Sequence, residues 1–226
     1  MADGILLREL YLVRHGESRG NAGIDPGDSL MEREDPALTE KGVSQAEKLG
    51  KFLRDTEFAC IYSSGLRRAA ATAAEIAKRQ AGKEILILPE LCEISVNPEY
   101  PGKSLEELQG ENPEVNLAPA PGREGMSFVI PDDTPGENEE RYFERAGKAL
   151  DYIFARHTSG EKVLITGHAG FLTYIIFYLT GLRDREPFYD FRLSNTGVTK
   201  IDFYEPGTNK YGDMVFDYVN RTGHLL

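Results

Sequence analysis

Leu10-Tyr11-Leu12-Val13-Arg14-His15-Gly16-Glu17-Ser18 is an apolar run that stops abruptly at an arginine, a histidine and a glycine. An unbroken apolar run of this length reads as a strand buried on both faces, the habit of a parallel sheet. In an open α/β sheet, ligands bind in the crevice beyond the carboxyl ends of the strands, so a guanidinium and an imidazole placed there face a ligand. Arg14 offers a planar, permanently charged fork suited to phosphate or carboxylate. His15 serves as nucleophile or base near neutral pH, and Gly16 lets the backbone approach closely. Taken alone, the stretch equally admits Arg14 as a surface charge and His15 as a loop histidine with its hydrogen bonds satisfied.

Two further stretches repeat the design. Val163-Leu164-Ile165-Thr166 runs into Gly167-His168-Ala169-Gly170 and then an apolar helical segment over 171–179. A second strand thus delivers a second histidine to the same sheet edge. The turn at His168 opens a helix, whose unpaired N–H groups and positive dipole end make a natural anion seat. Between the two, a strand over 58–62 leads through Ser63-Ser64-Gly65-Leu66-Arg67-Arg68 into an alanine-rich helix. Arginines in a first helical turn oppose the dipole by about 0.3–1 kcal/mol, a misfit relieved by an anion between the side chain and the helix end.

Strand-like runs at 11–13, 58–62, 85–88, 163–166, 198–204 and 214–219 alternate with helical patterns. Val43, Ala46, Leu49 and Leu53 recur at helical spacing after Thr39, as do Phe143, Ala146, Leu150 and Ile153 after Asn138. These stripes read as core. Gly82 and Gly160 read as helix stops, which makes His157 a charge on a helix end. The order predicts an α/β fold of three layers, α/β/α, with a mostly parallel central sheet and an antiparallel addition near the C-terminus. No Pro/Gly/Ser linker or charge block divides the 226 residues, 40% of them hydrophobic, so 1–226 reads as one domain.

A formal charge of −11 excludes the basic face that nucleic-acid binding needs. The N-terminus carries Asp3 and Arg8 around a short apolar stretch, which is no signal peptide, and no apolar run approaches the ~20 residues of a membrane span. The expectation is a cytoplasmic protein with neither membrane nor nucleic acid as partner. Cys60 and Cys92 are unclustered and read as structural thiols. No metal is expected: Arg14 and Arg68 would repel a cation from His15 and His168, and no ligand spacing supports one. No other cofactor is implied.

Taken together, these stretches resemble the histidine phosphatase superfamily, in its phosphoglycerate-mutase-like branch. Arg14-His15-Gly16-Glu17-Ser18 with Asn21 is similar to the branch's opening motif, and Pro36-Ala37-Leu38-Thr39-Glu40-Lys41-Gly42 with Gln45-Ala46 to its second segment. Ser64-Gly65-Leu66-Arg67-Arg68-Ala69 with Thr72-Ala73 resembles the third, Leu91-Cys92-Glu93 the segment that supplies an acid, and Thr166-Gly167-His168-Ala169-Gly170 the second-histidine segment. Val219-Asn220-Arg221-Thr222-Gly223-His224-Leu225 resembles a tail seen in the branch.

The resemblance implies a phosphomonoester hydrolase that acts on a small phosphorylated metabolite through a phosphohistidine. His15 would be the nucleophile, Arg14, Arg68, His168 and Asn21 the phosphate ligands, and Glu93 the acid, with Glu90 and Glu99 as neighbouring carboxyls. In that alignment Arg67 falls on a variable position. Ala169 after His168 departs from the acid-phosphatase and phytase side, which places an aspartate there. Gly20 stands where mutases typically carry Trp. The alternatives are a cofactor-dependent phosphoglycerate-type mutase and a non-catalytic phosphate-binding member of the fold. Residues 94–136 are expected as a cap-like insertion over the pocket. They hold only Lys103 and Arg123 against eight carboxylates, poor material for a second phosphate site, while Met126, Phe128, Val129 and Ile130 offer an apolar contact surface or a small satellite core.

Overall fold

Alternation along the opening strand sets the layers. In the computed structural model, which describes residues 4–97, 99–119, 139–182 and 191–226, Leu10 and Leu12 point into one apolar cluster and Tyr11 and Val13 into another. Side chains that alternate across a strand require both sheet faces to be covered. The strands are β1 (Leu6–Arg14), β2 (Cys60–Ser63), β3 (Ile85–Ile87), β4 (Val115–Leu117), β5 (Glu161–Gly167), β6 (Val198–Tyr204) and β7 (Met214–Arg221). They form one sheet in the order β4-β3-β2-β5-β1-β6-β7. β1 to β5 pair in parallel; β6 runs antiparallel to β1, and β7 antiparallel to β6. This is the expected α/β architecture, antiparallel addition included.

The helices are α1 (Leu30–Glu34), α2 (Glu40–Leu53), α3 (Arg67–Ala77), α4 (Leu105–Glu111), α5 (Glu139–Phe154) and α6 (Ala169–Thr180). Core residues of α2, α3 and α4 join Tyr11 and Val13, and those of α5 and α6 join Leu10 and Leu12. Phe143, Ala146, Leu150 and Ile153 form the buried stripe of α5 as expected. In α2 the stripe is Gly42, Ala46, Leu49 and Leu53, and Val43 is 40% exposed. A Cβ on Gly42 would stand 2.0 Å from the Glu17 carbonyl oxygen. Close backbone approach, which apolarity does not register, therefore turns the helix one position away from Val43.

Two expectations change. His157 is not a charge on a helix end: it lies beyond α5, half-buried, with Nε2 3.1 Å from the Tyr62 hydroxyl, and burial lowers its pKa. Gly160 is not the stop of α5, which ends at Phe154; it turns the chain into β5 at a φ of 84°. Within 94–136, α4 and β4 add to the edge of the sheet beside β3. Arg123, Met126, Phe128, Val129 and Ile130 lie outside the described residues. No described helix is long and apolar enough to cross a membrane.

Candidate active site

Parallel register brings the two histidines together. Arg14, the last residue of β1, is paired with Gly167, the last of β5, and the His15 N–H donates to the Gly167 carbonyl at 3.0 Å. His15 and His168 thus follow neighbouring strand ends, with ring centroids 5.1 Å apart and side chains 3% and 0% exposed. His15 Nδ1 sits 2.7 Å from the Gly16 carbonyl oxygen. A carbonyl only accepts, so Nδ1 carries the proton and Nε2 keeps its lone pair.

His168 is oriented by a residue the sequence left without a role. Its Nε2 is 2.8 Å from the Ser64 hydroxyl, which itself accepts the Leu66 N–H at 3.2 Å. With the hydroxyl as donor to the imidazole, the tautomer that suits anion binding, the His168 proton sits on Nδ1. Among the described residues, His168 Nδ1 and Arg14 Nε are buried side-chain nitrogens without a hydrogen-bond partner. Burial first, and then the charge of Arg68, hold both histidines well below the ordinary imidazole pKa of 6.5.

That shift predicts a pH dependence of stability. Each group's folded pKa is depressed, so its contribution is complete above the unfolded value of about 6.5 and is lost as pH falls toward the folded value. His157 and His224 are also lowered by burial, so all four histidines act in the same direction. The melting temperature should fall between pH 7.5 and 5.5 while the ring resonances of His15 and His168 stay at their neutral positions. Titration of either ring near 6.5 would contradict the burial argument.

The arginines divide as the register requires. Arg14 Nη1 donates to the Leu193 carbonyl at 2.7 Å, and Arg68 Nη1 to the Glu34 carbonyl at 3.1 Å and Asp35 Oδ1 at 3.3 Å. Arg67, one residue earlier on α3, instead pairs with Glu32 at 2.6 Å and bonds the Asp35 carbonyl through Nε. The anion expected at this helix start is the protein's own: both Asp35 oxygens accept the Arg67 backbone N–H, at 3.0 and 3.1 Å. Asp35 is fully buried and also accepts from the Tyr100 hydroxyl at 3.2 Å; burial raises its pKa against the pull of Arg68.

Glu93 likewise occupies the seat expected for an external anion. At the start of α6 its Oε1 accepts the N–H groups of Ile94 and Phe171, each at 2.9 Å, and Oε2 accepts that of Gly170 at 3.4 Å. A Cβ on Gly170 would meet Oε1 at 2.7 Å, so the carboxylate in this position sits tight against the glycine. Glu93 also lies near enough to Arg14 for its charge to raise the guanidinium's pKa against burial. Arg145 of α5 holds the segment from behind, donating to the carbonyls of Glu90 at 3.0 Å, Cys92 at 2.6 Å and Glu93 at 3.4 Å. Burial drives the Cys92 thiol up to about 12 and the Cys60 thiol up to about 11, so neither competes as a nucleophile.

Asn21 is exposed beside this group. Its Oδ1 accepts from Asn195 Nδ2 at 3.0 Å, and the same Asn195 nitrogen donates to the His15 carbonyl at 3.0 Å. Asp35, Tyr100, Leu193 and Asn195 escaped the sequence reading. Only the sequence Asp35-Pro36 at the edge of the second motif offered a signal for any of them. Among the described residues no cluster of His, Cys, Asp and Glu suits a metal ion.

Two guanidinium groups and two neutral imidazoles lie beside a carboxyl, a set of groups chemically suited to a tetrahedral anion. A family model described as the histidine phosphatase superfamily (branch 1) matches residues 10–211. Putative phosphoserine phosphatase 2 of Hydrogenobacter thermophilus is 30% identical over 197 residues, spanning 86% of this chain and 89% of that protein. Probable phosphoglycerate mutase GpmB of Erwinia tasmaniensis is 29% identical over 194 residues, spanning 86% and 84%. The crystal structure of a phosphoserine phosphatase from Entamoeba histolytica in complex with 3-phosphoglyceric acid is 26% identical, with a TM-score of 0.63 over 97% of this chain and 100% of that one. The family match begins inside the strand that ends in Arg14 and runs to the turn between β6 and β7, and the chain therefore belongs to branch 1 of the histidine phosphatase superfamily.

Proposed function

We propose that this histidine phosphatase hydrolyses small phosphomonoesters through a phosphohistidine at His15. The observation that carries the reading is the free lone pair on His15 Nε2, fixed by the bond from Nδ1 to the Gly16 carbonyl, among Arg14, Arg68 and His168. Nε2 attacks phosphorus in line, the bond from phosphorus to the ester oxygen breaks, and that oxygen takes a proton from Glu93. Arg14 Nε, Arg68 and His168 Nδ1 donate to the equatorial oxygens as their charge redistributes, with Asn21 Nδ2 at the rim. Water then attacks the phosphohistidine and passes its proton to Glu93. The P–N bond breaks, and His15 returns neutral.

Glu93 Oε2 is the oxygen suited to this proton traffic, because Oε1 already accepts two short backbone bonds whereas Oε2 has one at 3.4 Å. Supporting water as the acceptor, four basic side chains of the described residues already pair with carboxylates: Lys103 with Glu111, Lys41 with Glu17, Arg19 and Arg67 with Glu32. A mutase needs such groups to hold the second phosphate of its intermediate.

The test supplies O-phosphoserine, 3-phosphoglycerate and other small phosphomonoesters with excess chelator and counts free phosphate. With 2,3-bisphosphoglycerate added, 2-phosphoglycerate is counted as well. Phosphate release undiminished by chelator is expected, outrunning isomerisation at least tenfold. Isomerisation faster than release would give the protein to the mutase reading, and no turnover on any ester to the non-catalytic one.

A further inference from the structure

The closing stretch 219–225 stands apart in sequence from the phosphoryl site, yet its side chains reach the loop of residues 192–197 that grips Arg14 and His15 from behind. The Leu193 carbonyl accepts Arg14 Nη1 at 2.7 Å, and Asn195 Nδ2 donates to the His15 carbonyl at 3.0 Å. The Thr196 N–H donates to the carbonyls of Arg14 at 3.0 Å and His15 at 3.3 Å. Thr196 is fully buried at a φ of 55°, a left-handed conformation that a β-branched residue keeps only where its surroundings hold it.

Two residues of the C-terminal stretch provide that hold. Asn220, at the end of β7, accepts the Ser194 N–H at 2.8 Å and donates through Nδ2 to the Arg192 carbonyl at 2.7 Å and the Ser194 hydroxyl at 3.2 Å. His224 places Nε2 3.0 Å from the Thr196 hydroxyl. That hydroxyl donates to the Asn195 carbonyl at 2.8 Å, so His224 is the donor to it. The His224 ring is stacked on Phe52 of α2, centroids 5.5 Å apart.

We propose that Asn220 and His224 are positioning residues for phosphoryl transfer: they fix the 192–197 loop and, through it, the Arg14 guanidinium and the backbone of His15. The kinetic part of the inference rests on the phosphatase reading; the geometric part does not.

Asn220→Gly is the informative variant. Asn220 has a φ of 51°, where glycine fits without strain, so the backbone is kept while every side-chain bond to the loop is removed. With p-nitrophenyl phosphate, single-turnover formation of the phosphoenzyme should slow at least tenfold. The His15 ring resonance should move, and the melting temperature should stay within a few degrees of wild type. In an Arg14→Ala background the Asn220→Gly penalty should shrink, because the side chain it acts through is gone. His224→Ala should also slow the step, and His224→Gln, which keeps an N–H for Thr196, should restore most of it.

A wild-type rate with an unmoved His15 resonance in Asn220→Gly would overturn the proposal. So would an undiminished penalty in the Arg14→Ala background. Should Asn220→Gly not fold, the His224 pair decides: no loss with alanine, or no rescue with glutamine, overturns it equally. A wild-type protein that forms no phosphoenzyme overturns the phosphatase reading instead, and the His15 resonance still judges the positioning.

Discussion

His15→Ala should lower turnover on the order of 10⁴-fold and abolish the phosphoenzyme, because among the described residues no other side chain beside Arg14 and Arg68 is poised as a nucleophile. His168 is the nearest competitor, but its Nε2 is engaged by Ser64. The Cys92 thiol is buried and pushed up to about 12. Orthophosphate should still bind to His15→Ala, since Arg14, Arg68 and His168 are held by partners other than the His15 ring: Leu193 for Arg14, Asp35 for Arg68, Ser64 for His168. Once the nucleophile is gone, a further Arg68→Ala change should cost the chemical step little, because groups that act as one unit are not additive. Brief incubation with labelled ester and rapid quenching should leave acid-labile, alkali-stable label on wild type alone. Label that survives in His15→Ala removes His15 from the role.

The division between what was legible in sequence and what was not follows from how each residue is held. Leu10 to Val13 announce a central strand because both faces are apolar, and Arg14, His15 and His168 announce themselves because polar groups directly after such strands have only the crevice to face. Arg68 was separable from Arg67 only through the resemblance, and the two side chains do take different partners, Asp35 for one and Glu32 for the other. Asp35 was invisible because its value lies in a helix start 32 residues later, which no local pattern encodes. The Leu193 carbonyl that holds Arg14 was less visible still, since a backbone acceptor has no side-chain identity to read. β4 has three residues, too few for a period to show. The two anion seats inferred from helix starts were real in their physics, but the chain fills them with Asp35 and Glu93. The proposed phosphate site accordingly draws more on side chains than on helix N–H groups.

That internal use of the α6 start makes Glu93 the sharper test of mechanism. Glu93→Gln keeps a carbonyl oxygen for the Ile94 and Phe171 N–H groups and gives up only the long bond from the Gly170 N–H to Oε2, so the loop and α6 should be little disturbed. The phosphorylation step then loses its proton donor. An alkyl phosphate, whose departing oxygen is strongly basic, should be transferred about 10²–10³-fold more slowly, whereas p-nitrophenyl phosphate, whose phenolate leaves unaided, should phosphorylate His15 at close to the wild-type rate. The second step also loses its base. The variant should therefore release one equivalent of nitrophenolate in a burst and then turn over slowly as the phosphohistidine waits for water. Rapid-quench measurement of both steps separates the two roles. Equal losses for the two esters in the phosphorylation step would exclude Glu93 as the leaving-group acid. The larger loss appearing instead with Glu90→Gln or Glu99→Gln would move the acid to that carboxyl. A proton donor seated on backbone N–H groups would then have to be reinterpreted as a structural cap of α6.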